Sequence, residues 1–321
     1  KLAAWRDRMP RTVLVLLALG QGPALLVAGG IWWRYGREPR TGYDREYEQE
    51  PPSDLEPALV PPLLRQDRAS GSHEFTATLF DLIRRGHYAA TPAQTEHRTW
   101  GGLRSELVSD LELSKPEAGS EVELTQWEKH VAEVVDSVLA DGPERLSRFR
   151  SRITSDKKGN AARFASFKSQ VRASIGRRRW YLDAGKAILT GAAATFAVGG
   201  AILLAVGVHG WRDVFPRWSD VLLVALGGCL VANAAALFLT RGRASLWRRR
   251  HKRIALEAER WDAFRRYLAD FPRLAEAPPA ALELWERYLV YGIALGIADR
   301  VLQGAQLHMP EDLAELSTIY W

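Results

Sequence analysis

The sequence predicts a mainly α integral membrane protein with three transmembrane helices, a cytoplasmic winged-helix-like α+β module and a C-terminal helical bundle. Three observations predict it: apolar residues concentrate in three charge-free windows, tryptophans gather at the window ends, and basic residues bracket the last two windows. A mean hydropathy of −0.20 hides this, because it averages the windows with long charged stretches.

The windows are Val13 to Trp33, Ala187 to Val208 and Val221 to Thr240. Each comes close to the ~20 residues that cross a hydrocarbon core. Backbone groups in lipid find no water, so each window is expected as a helix. Trp5, Trp32, Trp33, Trp180, Trp211, Trp218 and Trp247 lie within about ten residues of a window end, where a half-wet indole favours the headgroup layer. Cys229 is the single cysteine and falls inside the third window, which argues against a disulfide, a cysteine-based metal site or redox chemistry within the chain. The chain opens on Lys1 without a cleavable signal and is expected to begin partway through a longer protein.

Orientation follows from Lys and Arg near the window ends, because basic loops stay cytoplasmic. Arg177, Arg178, Arg179 and Lys186 precede the second window, and Arg241, Arg243, Arg248, Arg249, Arg250, Lys252 and Arg253 follow the third. This puts residues 1–12 outside as the end of an extracytoplasmic region, 34–186 in the cytoplasm, the loop 209–220 outside, and 241–321 in the cytoplasm.

Residues 34–54 read as an extended, charged linker, and 55–180 as the winged-helix-like module. Ser72 is the expected N-cap of a helix from Glu74 to Arg85 that buries Phe75, Leu79, Leu82 and Ile83 and stops at Gly86. His87 to Thr91 and Leu111 to Ser114 read as paired strands. Thr125 with Glu128 forms a capping box ahead of a helix reaching about Ala140, which Gly142 and Pro143 end. Phe149 and Ile153, then Phe164, Phe167, Val171 and Ile175, mark two further helices. Residues 244–321 are expected as a separate cytoplasmic bundle. Its apolar run from Tyr288 to Ala298 is too short to span a bilayer and is expected to pack on Trp261, Phe264 and Leu268.

Several stretches resemble a known family, the predicted membrane proteins of DUF2207, a domain of unknown function. Tyr43-Asp44-Arg45-Glu46-Tyr47-Glu48 with Pro51-Pro52 comes first, then Pro57-Ala58-Leu59-Val60, then Phe75 through Gly86. The last is Trp285-Glu286-Arg287-Tyr288-Leu289-Val290-Tyr291-Gly292 with Leu295-Gly296. Gln49 and Glu50 loosen the spacing ahead of the prolines. The resemblance implies an extracytoplasmic β-rich domain ahead of the first span, so the chain looks like the membrane and cytoplasmic part of such a protein. It implies no activity.

Candidate sites are few. Ala193, Ala197, Ala201 and Ala205 form a small-residue ridge on the second span, and Ala225, Gly228, Ala232 and Ala236 form another on the third. These ridges are expected to pack an antiparallel hairpin, which leucine at Ala201 or Ala232 would part. Asn233 is expected to bond between helices, with a partner subunit or a water-filled path as the alternative it could face. Gln21 beside Gly20, Gly22 and Pro23 marks a bend whose freed backbone groups need a neighbour. The arginines of 177–179 with those of 241–253 and Lys252 form a basic cluster read as facing lipid. His73, His87 and His97 match no metal-site spacing, and no hydrolase, zinc-protease or P-loop motif occurs. No cofactor and no catalytic residue is therefore expected. The leading reading is a membrane-anchored interaction or assembly protein with membrane lipids and other proteins as partners. The alternatives are a transport-complex subunit and a membrane-tethered nucleic-acid regulator, the latter disfavoured by Glu74 and Asp81 on the helix that would enter a groove.

Overall fold

The computed structural model describes residues 20–67, 69–99, 104–116, 121–210, 218–270 and 282–308. In chain order it begins with α1 (Gly22–Ile31) and a π-helical turn (Trp32–Gly36), followed by α2 (Val60–Arg65), α3 (Ser72–Arg84), β1 (Ala89–Thr99) and β2 (Arg104–Ser114). Next come α4 (Gln126–Val138), β3 (Glu144–Arg145), α5 (Leu146–Ser155), α6 (Lys157–Arg178) and β4 (Tyr181–Leu182). The long helices α7 (Ala184–Gly210) and α8 (Trp218–Thr240) lead to α9 (Ala244–Trp247) and β5 (Arg249–Arg250). The last are α10 (Lys252–Asp270), α11 (Leu282–Ala294) and α12 (Ala298–His308). The chain forms two compact units, Lys1–Arg40 with Tyr181–Lys252, and Thr41–Trp180 with Arg253–Trp321.

The first unit is built on α7 and α8, which among the described residues are the helices long and apolar enough to cross a membrane. They enclose the second and third windows. They pack side by side, but not on the expected ridges. Gly185, Ala193, Gly200 and Gly207 are the buried small residues of α7, and Gly227 and Ala234 those of α8. A Cβ on Gly200 would stand 2.9 Å from the Gly227 carbonyl, and one on Gly227 only 2.8 Å from the Gly200 carbonyl. Ala197, Ala201, Ala205 and Ala225 point outward, while Gly228, Ala232 and Ala236 are half-buried. The reason is periodicity. Each residue advances the helix by ~100°, so a four-residue repeat rotates off the contact face by about 40° per step. A seven-residue repeat drifts by only ~20°.

The first window's residues 13–19 lie outside the described part. Its remainder, α1, seats Ala24 and Ile31 in a cluster with Leu189, Ala193, Leu237 and Trp247. Trp247 is 3% exposed and its indole donates to the Thr240 carbonyl at 2.8 Å, so this tryptophan belongs to the core and not to the headgroup layer. Trp180 is buried as well, whereas Trp32, Trp33 and Trp218 are 45%, 67% and 82% exposed. Trp5 and Trp211 lie outside the described residues. The π-helical turn then presses Gly36 against the Leu246 carbonyl, where no side chain fits.

The second unit joins the stretch expected as a separate module at 55–180 with residues 253–321 of the one expected at 244–321, while 244–252 belong to the first unit. The apolar run near Tyr288 folds as α11, with Trp285, Tyr288, Leu289 and Tyr291 buried. Its aromatics meet α10, Trp261 and Tyr291 with centroids 4.8 Å apart and Phe264 and Tyr288 5.8 Å apart. The same helix packs on α3, which buries Leu79, Leu82 and Ile83. Leu295 is half-buried, and Gly296 turns the chain at a φ of +70°.

Local signals in this unit are obeyed with one exception. Thr125 accepts from the Glu128 N–H at 3.4 Å while Glu128 accepts from the Thr125 N–H at 2.7 Å, completing the capping box. The cap of α3 is Gly71, not Ser72. The Glu74 carboxylate accepts from the Gly71 N–H at 2.7 Å, which Ser72 inside the first turn cannot replace. The strands are longer than expected, in an antiparallel register that sets Ala89 opposite Ser114 and Pro92 opposite Leu111, with β3 added beside β2.

The glycine contacts generate a stability prediction that reverses the one from the sequence. Gly200→Leu should destabilise the full chain by about 1–3 kcal/mol through overpacking, and Ala201→Leu should change it little. Thermal unfolding in detergent measures both.

Candidate functional site

The polar centre of the first unit is Asn233, 1% exposed among apolar neighbours. Pro23 lacks an N–H and stands in the first turn of α1, where that group has no helical partner in any case. Asn233 enters at this end of the helix. Its carboxamide oxygen accepts from the Ala24 N–H at 2.7 Å, and its Nδ2 donates to the Gly20 carbonyl at 2.7 Å. Gly20 and Ala24 are the pair that an unbroken helix would join to each other. Nδ2 also donates to the Cys229 carbonyl at 2.7 Å, which fixes the rotamer on α8. The expected interhelical bond of Asn233 is thus made to backbone groups on either side of Gln21.

The basic cluster separates into fastened and open members. Arg248 donates to Asp183 at 2.6 Å, and Arg250 pairs with Glu38 at 3.7 Å, with both guanidinium groups 11% exposed. These two are largely buried. The sequence reading missed Glu38 and Asp183, which lie 212 and 65 residues from the arginines they hold, and no local pattern marks them. Arg178 donates to both Glu56 oxygens at 2.8 and 3.0 Å. Arg177, Arg179, Arg243, Lys252 and Arg253 are exposed, Arg249 is half-buried, and Arg241 lies 5.6 Å over the Phe238 ring.

In the second unit, residues 41–55 are not a free linker. They run as a strap over α10 and α11. Tyr47 donates to Asp270 at 3.1 Å, Glu48 accepts from Arg260 at 3.1 Å, and Ser53 donates to Glu257 at 2.8 Å. Tyr288 donates to the Gln49 carbonyl at 2.5 Å and Tyr291 to that of Leu55 at 2.8 Å. Burial pushes the Tyr291 phenol up to about 12, so it stays a donor.

Where the strap, α3 and α11 meet there is an open cleft of about 380 Å³, lined by Asp81, Arg84, Arg85, Glu128, Arg287 and Tyr291 among others. Arg84 places both Nε and Nη2 on one Asp81 oxygen at 3.1 and 2.9 Å. Arg85 reaches the other oxygen at 2.9 Å and also pairs with Glu128. Arg287 is held by Asp54, whose side chain is 96% exposed. The buried carboxylates are thus engaged by guanidinium groups.

The histidines are placed apart from this cleft's lining. His73 lies near Gly296, and His87 packs edge-on against Tyr88 with centroids 4.7 Å apart. The side chain of His97 lies outside the described ones. Among the described residues no group of three His, Cys, Asp or Glu side chains is arranged to hold a metal.

The stretches quoted for the family resemblance therefore converge in one unit: strap, α3 and α11. A family model described as "Predicted membrane protein (DUF2207) C-terminal domain" matches residues 44–304. The chain belongs to this family. No curated protein and no solved structure matches it. Membership in DUF2207 carries a membrane assignment, in agreement with α7 and α8, and no activity.

Two predictions follow from these sites. Asn233→Leu should cost about 1–2 kcal/mol in detergent unfolding, a moderate loss because Gly20 and Ala24 can then bond to each other. Burial also lowers the His87 imidazole below its ordinary 6.5. The unfolded chain takes that proton first, so this contribution is complete above the ordinary value and is lost as pH falls through the folded one. The unfolding midpoint of His87→Gln should decline less than that of the wild type between about pH 8 and about pH 5.

Proposed function

We propose that the chain crosses the membrane three times, with Lys1 outside and residues 34–186 and 241–321 in the cytoplasm, and works as a membrane-anchored interaction or assembly protein. In this reading it links an extracytoplasmic region to the cytoplasmic unit. The observation that carries it is the Asn233 bridge, because it docks the apolar helix α1 onto the α7–α8 pair as a third member of one packed unit. Orientation is supported by the charge at the Tyr181 and Thr240 ends of the helices. A winged-helix-like character is supported by the order of helix α3, hairpin β1–β2 and helix α4, with β3 beside β2. The cleft is assigned binding and not catalysis, since Asp81 and Glu128 are held by Arg84 and Arg85. The same pairs withdraw those arginines from nucleic-acid phosphates, which places the regulator reading below the assembly reading. The transport-subunit reading differs from it only in the partner.

Two measurements test this. A cysteine at the exposed Ser219 should react with an impermeant reagent only from outside, and labelling only from inside would overturn the orientation. Purification of the full chain in mild detergent should retain a stoichiometric protein partner that Arg287→Ala weakens. Co-purifying nucleic acid in place of a protein would overturn the assembly reading.

A further inference from the structure

At one end of the first unit, residues 34–40, 181–186 and 241–252 carry ten Lys and Arg against two carboxylates, Glu38 and Asp183. Arg250 and Arg248 take those two. Among the described residues no carboxylate lies within ion-pair distance of Arg34 or Arg249. Yet Arg249 is held in place. Its backbone pairs with Leu182 in the β4–β5 ladder, and its Nη1 donates to the Arg34 carbonyl at 3.4 Å. Arg34 is exposed, with its guanidinium 5.1 Å over the Tyr35 ring.

The level of this pair is set by its neighbours. Trp32 and Trp33 are exposed immediately before Arg34, and Phe238 and Leu239 are 58% and 80% exposed at the end of α8, just before Arg241. The apolar surface stops there. Fixed cations beside a low-dielectric region repel one another at longer range than in water, so a counter-ion at that level is favoured. A phosphodiester matches the guanidinium fork in charge and geometry.

We propose that Arg34 and Arg249 form a seat for the phosphate of an anionic phospholipid headgroup. The proposal rests on the membrane placement of the first unit and adds a specific lipid class to it. Arg248 and Arg250 serve as the fixed frame, through Asp183 and Glu38.

The test uses the full chain in mild detergent, with native mass spectrometry to count retained lipid after adding phosphatidylglycerol or phosphatidylcholine. The wild type should retain phosphatidylglycerol selectively. The Arg34→Gln, Arg249→Gln double variant should lose roughly tenfold or more of that retention, the effect of two cations at an anionic surface. Arg40→Gln with Lys252→Gln removes the same charge elsewhere and should retain the lipid. Equal loss in both double variants would reduce the seat to diffuse attraction and overturn the proposal. So would unchanged retention in the first. Stabilisation by inorganic phosphate equal to that by phosphatidylglycerol would overturn the lipid as the source of the anion. Alkaline extraction of the chain from membranes would instead sink the membrane placement, a separate failure.

Discussion

A helix in lipid has no solvent to mend its backbone, and that constraint organises the first unit. At the start of α1, where Pro23 supplies no N–H, the carboxamide of Asn233 meets the Ala24 N–H and the Gly20 carbonyl together. One side chain offers a donor and an acceptor at the spacing of a peptide group, which few residue types can do. Satisfying these backbone groups therefore uses the α8 partner, so backbone pairing and helix association become one event. The glycine contact of α7 with α8 belongs to the same logic, because backbone must approach backbone closely where no apolar driving force operates.

The second unit solves a different problem. It has two chain segments to hold together, and it does so with aromatic burial in the middle and charged or polar fasteners outside. Trp261, Phe264, Tyr288 and Tyr291 supply the apolar area, with ring pairs at tilted and edge-on angles that add to plain burial. The strap supplies the fasteners. Each is weak in isolation, since an exposed ion pair contributes about 0–1 kcal/mol. Tyr288 and Tyr291 belong to both groups, since buried rings carry hydroxyls that satisfy strap carbonyls.

Much of this was legible in the sequence because it rests on local physics. Apolar length marks α7 and α8, a Thr and a Glu three residues apart mark the start of α4, and charge on either side of Tyr288 to Ala298 excludes a span. The misreadings concern partners distant along the chain. A ridge of alanines at four-residue spacing looks continuous on paper, and only the rotation of the helix carries Ala197, Ala201 and Ala205 off the face. Trp180 and Trp247 look interfacial until neighbours close over them. The arginines of 248–250 look unopposed until Asp183 and Glu38 arrive from elsewhere. The strap read as a linker because its composition has little to bury, and its contacts are hydrogen bonds to α10 and α11, over 200 residues onward.

The order in which the unit's two segments are made has a consequence for synthesis. The α3 face that receives α11 is complete when residue 84 has left the ribosome, but Tyr291 follows about 200 residues later, at ~5–20 residues per second. For roughly ten to forty seconds that face of α3 is without its cover. During that interval two long apolar helices must also be handed to the membrane. The buried carboxylates on or beside α3 fit such a wait. Glu74 and Asp81 are paired with Arg65, Arg84 and Arg85 from nearby sequence, so the half-built surface keeps its charges satisfied before the distant helix docks. Nascent-chain solubility, as much as the finished fold, would then favour the clustering of charge around this one helix.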